Sequence, residues 1–307
     1  MGFFSNHYES AGVGISKNAP KKKGIALFFD IFGRKFWKLM EINLLYMLFY
    51  FPLVLIVPAI SLLGNNETAA MTAMVILILI FMILIGPATA GMTKVIRCFI
   101  IEKHTFVVRD FFIGFRENFN KAAVIGFINC LVILSAYASL IVYPALAQQI
   151  SKAMFIPMVI TFSMFLVIII MNYYIFPMMI ATNLSTKNLI KNSFALSFVA
   201  LKPNIITFVC TLAILILVAL LGVYLLPVFS LIIAFFPAAF ICLITLFNVY
   251  PVIQKYVINP YYTSIGEVNP ELSNGSSDED EERIFTDMGG LEQPIEKRKK
   301  GKGKRIS

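Results

Sequence analysis

Charge is scarce in this 307-residue chain. Only 14% of its residues are Asp, Glu, Lys or Arg, against about a quarter in ordinary soluble domains. None falls near the middle of a long apolar run. Neither histidine does either, because His7 and His104 sit in polar segments. An ionisable side chain held in hydrocarbon is the usual mark of a proton relay, an ion pathway or a voltage sensor. Its absence counts against a proton-coupled pump and a voltage sensor. Cysteine is also sparse. Cys98, Cys130, Cys210 and Cys242 lie in or beside apolar runs and form no C-x-x-C pair, which argues against a disulfide framework or a zinc site. There is no G-x-S-x-G, no H-E-x-x-H, no Walker loop and no carboxylate pair within an apolar run. The expectation is therefore a non-enzyme with no cofactor and no bound metal.

What is abundant is apolar surface. Hydrophobic residues make up 59% of the chain, mean hydropathy is +0.81, and apolar runs fill most of 36–257. A helix needs about 20 such residues to cross a bilayer. The pattern predicts an all-α, polytopic bundle of six transmembrane helices at about 37–63, 69–98, 122–147, 153–181, 205–226 and 231–253. The last two form one nearly unbroken run, split near Pro227 because a single helix would be far too long. The first run is longer than a signal-peptide core and is expected to be retained.

Basic residues set the expected orientation. Of 26 lysines and arginines, 25 flank the same side of these six spans, with Lys152 the exception. By the excess of positive charge in cytoplasmic loops, both termini are expected inside. The chain then divides into a cytoplasmic N-terminal segment (1–26), the membrane domain (27–262) and a tail (263–307). The tail carries "DEDEE" and then "EKRKKGKGKR" and is expected to be disordered. Tethered to a membrane, that basic string is not read as a nucleic-acid site.

Two phenylalanine patterns stand out. Phe28, Phe32 and Phe36 lie four residues apart, and so do Phe111, Phe115 and Phe119. Residues four apart share a helix face. Each set is therefore expected to form an amphipathic helix ahead of spans 1 and 3, lying in the headgroup layer or packing on the cytoplasmic side. A weaker copy, Phe194 and Phe198, precedes span 5. Each even span carries a proline toward its cytoplasmic end (Pro87, Pro177, Pro251), which suggests three similar units.

Four asparagines lie in the cytoplasmic halves of their spans: Asn43, Asn129, Asn172 and Asn248. An amide in hydrocarbon requires a partner. These are candidate helix-to-helix glue or, as the second reading, a polar layer that binds a solute. The segment "IGPATAG" places Gly86, Pro87, Ala88, Thr89, Ala90 and Gly91 on one stretch of span 2. Its small surface suits close helix packing, and its proline suits a kink or hinge.

The segments "INLLYMLFYFPLV", "IGPATAGMTKVI" and "RDFFIGFRENFNKA", in that order, resemble the YesL-like family of bacterial integral membrane proteins. The resemblance is best over 28–129 and architectural beyond it. Tyr46 stands where that family usually has tryptophan. The resemblance implies a bacterial cytoplasmic membrane and genes near carbohydrate-uptake systems, without a known activity. On that basis we expect an accessory or regulatory protein of nutrient (carbohydrate) uptake, in contact with membrane lipid and with a transporter or signalling membrane protein. The alternatives are a small neutral-solute permease and a structural membrane protein.

Overall fold

The structure is a computed structural model, and it describes residues 22–271 apart from 65, 268 and 270. The expected N-terminal segment and the acidic and basic stretches of the tail lie outside the described residues. The chain divides into two units, 1–261 and 262–307, and the helix bundle makes up the first.

All secondary structure among the described residues is helical. Six stretches are long and apolar enough to cross a membrane: Ile25–Leu63, Glu67–Ile100, Phe119–Gln149, Lys152–Ala181, Leu201–Tyr224 and Pro237–Ile265. Span 1 is segmented into α1 (Ile25–Met47), a 3-10 turn, α2 (Phe51–Val54) and α3 (Ile56–Leu63). Pro52 sits at the start of α2, where a missing N–H costs least. Span 2 is one helix, α4 (Glu67–Ile100), and continues through Pro87. Its first turn is capped by Asn66, whose side chain accepts from Ala69 N at 3.1 Å, as N-caps do. A short helix α5 (Val107–Glu117) leads to α6 (Phe119–Gln149), which is followed by α7 (Phe155–Ala181). The short α8 (Thr186–Val199) then leads to α9 (Leu201–Tyr224).

The split near Pro227 is refined. The run after α9 contains two breaks, at Leu225 and Phe236, which separate α10 (Leu226–Phe235) from α11 (Pro237–Ile253). The span expected at 231–253 is therefore interrupted. Pro237 has no N–H to give Ile233, so the helix cannot run through it unaided. A π turn and α12 (Asn259–Ile265) complete this run.

The first phenylalanine helix also differs from expectation, and the two differ from each other. α5 is a separate element, but the segment carrying Phe28, Phe32 and Phe36 is continuous with span 1. Nothing between them breaks the helix. Gly33 lies in open space with ordinary backbone angles. Both stripes face protein. Phe32 meets Phe236 and Phe240 at ring-centroid distances of 6.0 and 5.2 Å, Phe28 meets Phe247 at 5.3 Å, and Phe36 meets Phe236 at 6.4 Å. Phe111 and Phe115 stack on Phe49 at 6.0 and 5.0 Å, and Phe119 adjoins Phe115 at 5.6 Å. The physical reason is the same in both places: an aromatic stripe gains specific ring contacts by packing edge-on or stacked against other rings.

The packing is lopsided. The residues buried in α1 run from Ile31 to Tyr46, and those in α7 from Met171 to Met179. In α9 they are Asn204 and Thr207 alone, and α3 has none. In α4 they run from Met82 to Phe99, with Ala70 apart. The core thus gathers at one end of the bundle. We call it the basic end, since Lys22, Arg97, Lys121, Lys187 and Lys202 belong to the segments that meet there. Links at this end include Arg34 to Glu102 at 2.9 Å, Lys94 to Glu117 at 2.6 Å and Lys121 Nζ to Leu184 O at 2.9 Å.

Candidate functional site

Close backbone contact builds the wall of the site. Gly86 of α4 faces Gly126 of α6. A Cβ on Gly126 would sit 2.6 Å from Gly86 Cα, and one on Gly86 would overlap the Ala122 carbonyl. Five residues further on, a Cβ on Gly91 would come 2.7 Å from Phe111 O, and one on Gly114 would come 3.1 Å from Gly91 Cα. Only glycine permits this separation, and such contacts hold membrane helices together where water-driven burial does not. The "IGPATAG" segment is thus the packing surface for both α5 and α6. Ala88 and Ala90 are fully buried with it. Thr89 turns back to its own helix, donating to Ile85 O at 2.8 Å, and meets Tyr46 Oη at 3.3 Å.

Behind that contact lies a cavity of about 590 Å³ that all six spans line. Tyr46 and Tyr50 come from span 1, Gly86, Thr89 and Thr93 from α4, Asn129 and Cys130 from α6, and Asn172, Tyr173 and Pro177 from α7. Leu215 comes from α9, and Pro237, Cys242 and Thr245 from α11. No charged residue is among the described lining residues.

The four asparagines do not form one layer. Asn129 and Asn172 share the cavity and bond each other reciprocally, at 2.8 and 2.9 Å, and Asn172 Nδ2 also donates to Ile168 O at 2.8 Å. Asn43 is fully buried and does not line the cavity. It mends the break in span 6 instead. Its Nδ2 donates to Ile233 O at 2.9 Å and Ala234 O at 2.7 Å, and its Oδ1 accepts from Ala239 N at 3.0 Å. Ile233 O is the carbonyl that Pro237 leaves without a partner. One amide thus satisfies both sides of a broken helix, which hydrocarbon otherwise makes very unfavourable. Asn248 is half-buried and apart from the cavity.

A fifth amide, Asn204, was not among the sequence candidates. At the start of α9, it accepts from Tyr174 Oη at 2.5 Å and donates to Ser197 O at 2.9 Å and Leu196 O at 3.3 Å. It closes the end of α8 and ties α7, α8 and α9 together. Asn118 does similar work at the end of α5, donating to Gly114 O at 3.2 Å. Each sits at or near the start of a span, where an asparagine in sequence looks like ordinary interface. Gly114 and Gly126 were not candidates either. They are isolated glycines whose partners are remote in the chain.

Residues 39–140, about a third of the chain, match a family described as "Protein of unknown function, DUF624". The matched stretch holds Asn43, the Gly86–Gly126 and Gly91–Gly114 contacts and Asn129, but not Asn172. It overlaps the segments that resemble the YesL-like family and, like that resemblance, leads to proteins without an assigned activity. No curated protein and no solved structure matches the chain.

Proposed function

We propose that this chain is a non-enzymatic membrane protein that holds a small, uncharged, mainly apolar molecule in the cavity between its spans. One observation carries the reading: the cavity is large enough for a small ligand, mostly apolar, uncharged in its described lining, and marked by a single amide pair. A charged solute would find no counter-charge there, and moving one into hydrocarbon uncompensated is strongly unfavourable. The absence of an acid, base or histidine from the described lining supports binding without chemistry. The many basic residues flanking one side support placing both termini in the cytoplasm.

A sugar fits this site poorly. Sugars need many donors and acceptors, whereas this lining is mostly apolar and the Thr89 and Thr93 hydroxyls already donate to their own helix. If the carbohydrate-uptake association implied by the YesL-like resemblance holds, the chain's part in it is accessory, with a separate protein carrying the sugar. A photoactivatable benzyl alcohol bearing a diazirine tests the site directly. In vesicles containing the full chain, it is expected to label peptides around Asn129 and Asn172. A Cys130→Trp change, which fills the cavity, should remove that label. Equal labelling of both proteins, or none in the cavity, overturns the reading.

A further inference from the structure

Two features of the cavity narrow the class of its occupant. The first is the hydrogen bonding of the amide pair. A primary amide offers two donors and two acceptor lone pairs. Asn172 uses both donors, one to Asn129 and one to Ile168 O. Asn129 uses one, to Asn172. One N–H of Asn129 and one lone pair on each Oδ1 are left over, and both residues border the cavity. A hydroxyl group, both donor and acceptor, matches that remainder. A carbonyl or an ether uses only the donor.

The second feature is where the cavity opens. The face of α6 that lines it continues toward the opposite end at helical spacing. Gly126 is buried, Asn129 and Cys130 are half-buried, and then Ile133, Tyr137 and Leu140 are 55%, 65% and 50% exposed. Leu215, near the middle of α9, also lines the cavity and is 51% exposed. The mouth therefore lies at mid-span depth with apolar lips. At that depth the surrounding medium is hydrocarbon, and a water-filled vestibule would need polar walls.

We propose that the occupant is an uncharged membrane lipid with an alcohol head. It enters sideways from the bilayer, sets its hydroxyl against the Asn129–Asn172 pair and lays its chain along α6 past Ile133 and Tyr137. This rests on the reading of the cavity as a binding site and adds the class of ligand and its route.

The test uses the full chain in vesicles of phosphatidylethanolamine and phosphatidylglycerol. The probe is hexadecanol with a diazirine a few carbons from its hydroxyl. Labelling is expected at residues 126–133 and 172–177, with competition by excess hexadecanol but not by hexadecane. That competition experiment needs no variant. In Asn129→Leu/Asn172→Leu, both amides are replaced together so that neither is left unpaired. Labelling there is expected to fall about fivefold to tenfold, the loss of one good hydrogen bond. Label confined to outward-facing residues such as Leu62 and Val223 would overturn the proposal, as would equal competition by hexadecane. If the benzyl alcohol probe labels the cavity and hexadecanol does not, the lipid proposal falls and the small-molecule reading stands. If neither labels it, both fall.

Discussion

The two ends of the helix bundle both carry many apolar residues and pack differently. At the basic end, α1, α4, α5, α6, α7 and α11 meet through glycine contacts, paired amides and stacked phenylalanines. At the opposite end, α3 buries nothing, and residues such as Leu62 (83% exposed) and Val223 (77%) face outward. The difference shows what holds helices together where lipid replaces water. Leucine against lipid is as comfortable as leucine against leucine, so large aliphatic residues alone do not draw helices close. Close approach needs small residues, polar groups that must be satisfied, or shaped aromatic contacts. The basic end has all three. The cavity and its mouth lie where that supply ends.

The most direct challenge to this contrast is to add one methyl group at each end. Gly86→Ala forces a Cβ into the Ala122 carbonyl, a backbone atom that cannot turn aside. The expected loss is about 3 kcal/mol, the upper end for overpacking, read as a fall in unfolding temperature in lipid nanodiscs. Gly222→Ala meets only the Phe229 ring, at 3.0 Å. A side chain can shift, and alanine favours the helix by about 1 kcal/mol, so little net change is expected. Equal losses would remove the distinction between the ends.

Asn43→Leu comes next. It strips the partners from Ile233 O, Ala234 O and Ala239 N together. The expected cost is about 2 kcal/mol, with faster hydrogen exchange at the Ala239 amide. Unchanged exchange there would mean that Asn43 does not support the break in span 6. Phe32→Ala, which removes ring contacts to Phe36, Phe236 and Phe240, should cost about 1 kcal/mol. Leu62→Ala at the opposite end should cost less than about 0.5 kcal/mol. The smallest effect at the basic end is expected from Arg34→Ala. Its partners, Asp30 and Glu102, share a solvent-exposed network, and exposed pairs contribute about 1 kcal/mol or less. A larger loss that high salt abolishes would mark this network as a main fastener.

Span number and approximate position were legible in the chain, because about twenty apolar residues in a row have few alternatives to a crossing helix. The four-residue phenylalanine spacing was legible as helix faces, but what they face was not. Phe32 lies about 200 residues from Phe236 in sequence, and a stripe that would suit lipid suits other rings equally well. The glycines of "IGPATAG" were readable as a packing surface, while their partners Gly114 and Gly126 were not. The asparagines were visible as groups needing partners. Which of them pair across the cavity, and which one mends a broken helix, depended on the arrangement of spans.

Composition and local spacing were enough to specify a helical protein with six stretches long and apolar enough to cross a membrane, with basic residues flanking one side of them and no charge near the middle of an apolar run. They set helix length and the free energy of transfer residue by residue, with no reference to distant parts of the chain. The folded arrangement had to supply the rest. It makes spans 2 and 3 touch at Gly86 and Gly126, gives Asn43 to the break at Pro237, and turns Asn129 and Asn172 toward a cavity rather than a closed seam. These are contacts between groups far apart along the chain. Hydrogen bonds and backbone contacts act over a few ångströms, so they exist only once the spans have taken their places.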